Sequence, residues 1–252
     1  MTGRNHKSCR GALLLATLLS PLLGVHAGAF TIPPDIASQY SLSTSTSLPF
    51  PSSTQSSGNA QKTILQGWNI NQGRIQQGVG NMAFVSDPFP DHQLPSSASF
   101  PSPSGPVLQV TYPKGGFGSS ASGAQFYSLW NSTGAAFKTV LLTYEVAFDP
   151  TFDWVRGGKL PGLRGGASPN TCDGGSQSDG TCFSTRIMWR TSGDGEGWWC
   201  VPELNTASFI LSSSAYAYIL TPDGLCSDQK VVCNDEYGTS LGRGEFRFQP
   251  GE

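Results

Sequence analysis

Turn-forming residues interrupt this chain so often that they dictate its class. Among its 252 residues stand 31 glycines and 18 prolines. A helical bundle needs long stretches of helix formers, and these two residues cost a helix most. Short strands between turns tolerate such punctuation. Fourteen Phe, seven Tyr and six Trp supply side chains that suit a pleated, half-buried surface. Candidate strands cover residues 107–112, 125–130, 139–148, 183–190 and 246–248. The longest, 139–148, alternates, with Val140, Leu142, Tyr144, Val146 and Phe148 on one face. No convincing helix and no internal repeat is found. The expected fold is all-β, a sandwich or jelly roll of antiparallel strands.

The chain opens on a leader. Arg4, Lys7 and Arg10 precede an apolar run from Ala12 to Val25, and Val25-His26-Ala27 is a small-residue cleavage site. The run is too short to span a membrane and holds Pro21. Residues 1–27 are therefore read as a signal peptide, and the mature protein as secreted and free of the membrane. Residues 28–61, rich in Ser, Thr and Pro, read as a flexible or O-glycosylated linker. The folded domain is expected over 62–252.

Secretion permits disulfides. Five cysteines follow the leader. Cys172 and Cys182 flank one short polar excursion, and Cys226 and Cys233 flank another. Both local pairings are compatible with the spacing, which does not fix connectivity. Cys200 is left over. Asn131-Ser132-Thr133 is a glycosylation sequon and places that turn on the surface.

Charge excludes whole classes. The chain has 15 Lys and Arg against 17 Asp and Glu, and loss of the leader cations leaves 12 against 17. No basic field exists to hold nucleic acid. Of three His, only His92 lies beyond the leader. A His-rich metal site is thereby excluded, and a Ser-His-Asp triad would depend on that one residue. No other ligand cluster stands out, so no metal or cofactor is expected. The protein is expected to act as a monomer.

Two segments could carry chemistry. Residues 183–190 alternate, with Phe183, Ile187 and Trp189 on one face and Ser184, Arg186, Met188 and Arg190 on the other. If the apolar face enters the core, the other presents guanidinium groups side by side. Strand arginines most often face solvent, but such a pair also suits carboxylate binding. Upstream, residues 157–166 hold five glycines and a proline and present Lys159 and Arg164. The order G-x-x-x-x-G-K-[ST] is absent, so this is no phosphate loop.

Three strings together resemble polysaccharide lyase family 14, in its fungal branch. They are Gly157-Gly158-Lys159-Leu160-Pro161-Gly162-Leu163, Phe183-Ser184-Thr185-Arg186-Ile187-Met188-Trp189-Arg190, and Tyr237-Gly238-Thr239-Ser240-Leu241-Gly242-Arg243-Gly244. The resemblance runs from about Gly80 to the C-terminus. It implies a jelly-roll β-sandwich that cleaves an acidic polysaccharide, alginate or glucuronan, by β-elimination. The family's catalytic set is a Lys on the Gly-rich segment, a Ser-x-Arg pair on one strand and a Tyr-x-Tyr pair on the next. The first three correspond to Lys159, Ser184 and Arg186, with Arg190, Arg164 and Trp189 as substrate-binding neighbours.

The tyrosines are displaced. Family members place the Tyr-x-Tyr strand soon after Gly-x-Gly-Glu, whereas Gly193-Asp194-Gly195-Glu196 is followed here by Gly197-Trp198-Trp199-Cys200. Joining Glu196 to Ala215 restores the spacing, makes Tyr216 and Tyr218 the pair, and leaves an even set of cysteines. Residues 197–214 therefore read as an insertion, a loop or a retained short intron. Such an insertion is expected to protrude irregularly between two paired strands. The family also continues past 246–248 with further strands, so the jelly roll is expected to be incomplete at its C-terminus.

β-Elimination removes the C5 proton of a uronate beside a carboxylate and expels the C4 oxygen. Cations must neutralise that carboxylate and hold the developing charge. Arg186 and Lys159 can do so, and Ser184 can hydrogen-bond the carboxylate or a sugar hydroxyl. With one mature His, tyrosine is the natural base, since its ordinary pKa near 10 can fall beside cations. Tyr216 and Tyr218 would share proton removal and donation in an order the sequence leaves open. Two other classes compete. A non-catalytic carbohydrate-binding sandwich would stack sugars on Trp189, Trp198 or Trp199. A glycoside hydrolase would need two facing carboxylates, such as Glu145 and Glu196, roughly 5–10 Å apart.

Overall fold

A computed structural model describes residues 33–90, 105–118, 122–130, 137–166, 172, 178–200, 210–234, 238–244 and 247–251. For Pro33, 196–200 and 210–215 it describes the backbone alone. The leader, Asn131 and His92 lie outside these residues.

The strands come where aromatic and β-branched residues alternate between turns, and every ladder is antiparallel. β1 (Met82–Val85) and β2 (Val107–Val110) form a two-stranded sheet. A larger sheet holds eight strands. In chain order they are β3 (Gly157–Lys159), β4 (Arg164–Gly166), β5 (Cys182–Arg186), β6 (Met188–Arg190), β7 (Gly195–Cys200), β8 (Ile210–Tyr218), β9 (Val231–Val232) and β10 (Thr239–Leu241). β8 organises it. Its first half pairs with β7, while its last residues pair with β5 and with β10. The expected all-β antiparallel class is the one observed.

Several expectations are corrected. Residues 48–61 are not a linker. Helix α2 (Ser57–Gly67) follows the short α1 (Pro33–Gln39) and buries Ala60 and Ile64, one turn apart, against Met82 and Phe84. The Trp68 indole N–H donates to the Pro49 carbonyl at 2.7 Å, and the Phe50 ring lies 5.4 Å from that of Trp68. The segment 139–148 forms no ladder, and Val140 and Val146 are exposed while Phe148 is buried. Alternation gave it sidedness, but no neighbouring strand reaches it among the described residues. Gln125 and Ser128 make only isolated bridges, to Gln77 and Ile70, and Arg247 makes one to Asp194.

The stretch 197–214 is not an irregular loop at its two ends. Gly197 pairs with Ser214, Trp199 with Leu211 and Cys200 with Ile210. A register shift between Gly197 and Trp199 breaks the alternation that would have revealed these strands. Both local disulfides form, Cys172–Cys182 and Cys226–Cys233.

Candidate active site

The Gly-rich segment runs antiparallel along 182–190, and its glycines sit where aromatic rings need room. Gly158 pairs with Trp189, and a Cβ there would stand 2.1 Å from the indole ring. Gly165 pairs with Phe183, and a Cβ there would stand 2.4 Å from the phenyl ring. The rings thus cover the bare backbone on one face of the sheet. Lys159 and Arg164, the neighbours of those glycines, take the other face.

Lys159 and Arg164 are five residues apart, an odd spacing that would send them to opposite faces of a regular strand. Lys159 pairs with Met188 and Arg164 with Ser184, four residues apart. The Gly-rich side therefore holds one extra residue, a bulge at Leu160–Leu163. The Leu160 N–H donates to the Ile187 carbonyl and the Thr185 N–H to the Leu163 carbonyl, each at 2.8 Å, on either side of it. Gly162 lies within the bulge, where a Cβ would meet the Thr185 carbonyl at 1.8 Å. The bulge resets the parity and brings both cations to the face of Ser184 and Met188.

On that face β8 supplies the phenols. Ser184 pairs with Tyr218 and Arg186 with Tyr216, so each faces its partner across the ladder. The two tyrosine hydroxyls lie 3.4 Å apart, and the rings meet edge to face at 5.5 Å. The Arg190 guanidinium carbon lies 5.9 Å from the Tyr216 ring centroid. Tyr216 is 7% exposed and Tyr218 is 3% exposed. Arg186 and Arg190 are half-buried and Lys159 is exposed. A row of cations therefore borders a nearly enclosed pair of phenols, an arrangement suited to holding a carboxylate beside a proton acceptor and a proton donor.

Tyr112 and Tyr144 do not compete for this role. Tyr112 packs edge-on against Trp189 at 5.2 Å, and burial pushes its pKa up to about 12. Burial also raises that of Tyr144, whose hydroxyl donates to the Pro161 carbonyl at 3.1 Å. Neither becomes a better base near neutral pH.

Some expected site residues are not where the sequence put them. Trp189 is 3% exposed and packs in an aromatic cluster with Tyr112, Phe148, Phe152 and Trp154, on the face opposite the cations and phenols. Ile187 interrupts the strand between β5 and β6. Ser184 is 1% exposed, and its hydroxyl donates to the Cys172 carbonyl at 2.6 Å. Arg164 shares the site face but reaches toward the Tyr127 ring, with 5.5 Å from the guanidinium carbon to the centroid. Glu145 lies in the segment 139–148, its pKa raised by partial burial and by the charge of Asp87.

One neighbour of the tyrosine pair, and the packing of one expected disulfide against it, escaped the sequence reading. Ser240, in the third resembling string, pairs with Tyr216 from β10 and is buried. The Cys172–Cys182 disulfide packs with Met188, Tyr216 and Tyr218 in one buried cluster. The Ser240 signal was its place in that string. The disulfide's role carried no sequence signal, because its partners are remote in the chain.

No curated protein matches the sequence. Among solved structures the chain is similar to the marine alginate lyase of polysaccharide lyase family 14 from Aplysia kurodai. That similarity has a TM-score of 0.50 and 26% identity, and covers 80% of this chain and 67% of that one. Residues 101–252 match the family polysaccharide lyase 14. The match holds every strand from β2 to β10, with the cations and the phenols, and the chain belongs to polysaccharide lyase family 14.

Proposed function

We propose that this polysaccharide lyase is secreted and cleaves a uronic-acid polysaccharide, alginate or glucuronan, by β-elimination. One observation carries the reading. Lys159, Arg186, Tyr216 and Tyr218 share a sheet face, with the two phenol oxygens 3.4 Å apart. Arg186 and Lys159 neutralise the uronate carboxylate and hold the charge that develops as C5 loses its proton. One tyrosine takes that proton. The electrons left on C5 form the C4–C5 double bond, the C4–O bond breaks, and the other tyrosine protonates the departing oxygen. Arg190 and Arg164 extend the cationic face along the polymer. The part of the glycan-binding alternative that rests on Trp189 is weakened, because that ring is buried.

Alginate is the first substrate to try, because the similar solved structure is an alginate lyase. Two disulfides support an oxidising, extracellular setting. No helix among the described residues is long and apolar enough to cross a membrane. The test is incubation of the protein with alginate and with glucuronan while following the absorbance of unsaturated uronates. Growth of that absorbance with either polymer is the expected result. Binding of both polymers without it would place the chain among carbohydrate-binding modules.

A further inference from the structure

We propose that the Cys172–Cys182 disulfide and Ser184 form a positioning device for the tyrosine pair, and that Ser184 acts through the disulfide rather than on the substrate. The proposal rests on the lyase reading above and assigns these three residues a part in it.

Cys172 is fully buried and Cys182 nearly so, and both pack with Met188, Tyr216 and Tyr218. Cys182 stands two residues before Ser184 on β5, hence on the same face. Ser184 in turn stands directly across from Tyr218. The disulfide therefore covers the ladder row that holds Tyr218. Ser184 pins the far side of that cover, since its hydroxyl donates to the Cys172 carbonyl at 2.6 Å. Ser178 adds a second tie, its hydroxyl donating to the Cys182 carbonyl. Cys172 adopts φ 60°, a conformation that non-glycine residues rarely take and that the surrounding ties must hold.

The Ser184 hydroxyl proton is committed to the Cys172 carbonyl and so is not offered to a polymer. The serine fixes Cys172, and Cys172 with Cys182 fixes the rings beneath. Tyrosine turns about two side-chain bonds, so a ring without its cover loses the placement of its hydroxyl. A misplacement of about 1 Å can cost about 100-fold in rate. The cations that hold the carboxylate lie outside this device. Its loss therefore lowers kcat and leaves KM nearly unchanged.

The experiment compares Ser184→Ala, Ser184→Thr, Cys172→Ala/Cys182→Ala and the triple variant. Ser184→Ala is expected to lower kcat about 10- to 100-fold, within the cost of a misplaced group, with KM within a few-fold. Ser184→Thr, which keeps the hydroxyl, recovers most of the loss. In the disulfide-free background Ser184→Ala costs less than about threefold more, because residues acting as a unit are not additive. A raised KM with kcat unchanged, or the same loss in both backgrounds, would overturn the proposal and put Ser184 on the substrate. Nitration by tetranitromethane with peptide mapping gives a readout that needs no activity. Tyr216 and Tyr218 should be protected in the parent and modified in Ser184→Ala and in the disulfide-free variant. Unchanged protection in folded variants contradicts the proposal. If the disulfide-free protein does not fold, Ser184→Ala and Ser184→Thr still decide through nitration and the split between kcat and KM. If no form releases unsaturated uronates, the lyase reading fails, and nitration alone judges the cover.

Discussion

The two faces of β5 and β6 come from the same short stretch and are built by opposite rules. On one, Phe183 and Trp189 lie over glycines, and Trp189 continues into rings of Tyr112, Phe148 and Phe152 at 5.2–5.6 Å. On the other, Ser184, Arg186 and Arg190 meet Tyr216 and Tyr218. The aromatic face gains by excluding water from large rings. The polar face gathers charge that folding alone does not require. The glycines join the two, because removing side chains from Gly158 and Gly165 lets the rings settle on the backbone while Lys159 and Arg164 turn the other way. Stability and chemistry are thereby separated across a single sheet thickness.

Substitutions on either face should respond differently. Tyr218→Phe removes one of the two paired hydroxyls. Turnover should fall by about 100- to 10,000-fold, the usual range for a lost acid or base. Unfolding in urea should shift by only about 1 kcal/mol, the worth of one hydrogen bond. Rate and denaturation midpoint measured on the same preparation check this. A stability loss as large as that of a core aromatic would erase the contrast between the faces.

Trp189→Ala sharpens it from the other side. It should cost about 3–5 kcal/mol of stability, as large aromatic truncations do. The rate per folded molecule should stay within tenfold under conditions where the variant is folded. Urea titration and activity at low temperature measure both quantities.

Gly158→Ala should have a smaller effect. The new methyl group meets the Trp189 ring at 2.1 Å, and such overpacking costs about 1–3 kcal/mol. In the Trp189→Ala background most of that cost should vanish, which a double-mutant cycle reads directly. An undiminished cost would mean that the glycine serves something other than the ring.

The sequence made parts of this legible and hid others for physical reasons. Alternation in 183–190 gave the correct faces for Ser184, Arg186, Arg190 and Trp189, because side-chain direction in a strand is a local property. Burial of Trp189 against distant rings is not local, and alternation alone did not reveal which rings would cover it. The placement of Lys159 depends on a bulge, of which only Pro161-Gly162 was visible. Tyr216 and Tyr218 were found through spacing, yet their pairing with Arg186 and Ser184 is a matter of register. Residues 139–148 alternate as a strand should, but a strand also needs a partner, which no pattern in one segment reveals. Helix α2 was missed because just Ala60 and Ile64 mark its buried side, among Ser, Asn, Gln and Gly.

The division of labour between the faces is tested most directly by Arg186→Ala, with polymer turnover and urea unfolding measured together. Loss of a charge-stabilising donor should lower turnover by about 100- to 1,000-fold. The unfolding free energy should stay within about 0.5 kcal/mol, as for substitutions outside the core. Turnover within a few-fold of the parent, in a folded variant, would show that Arg186 is an ordinary strand arginine and that this face does not perform the elimination.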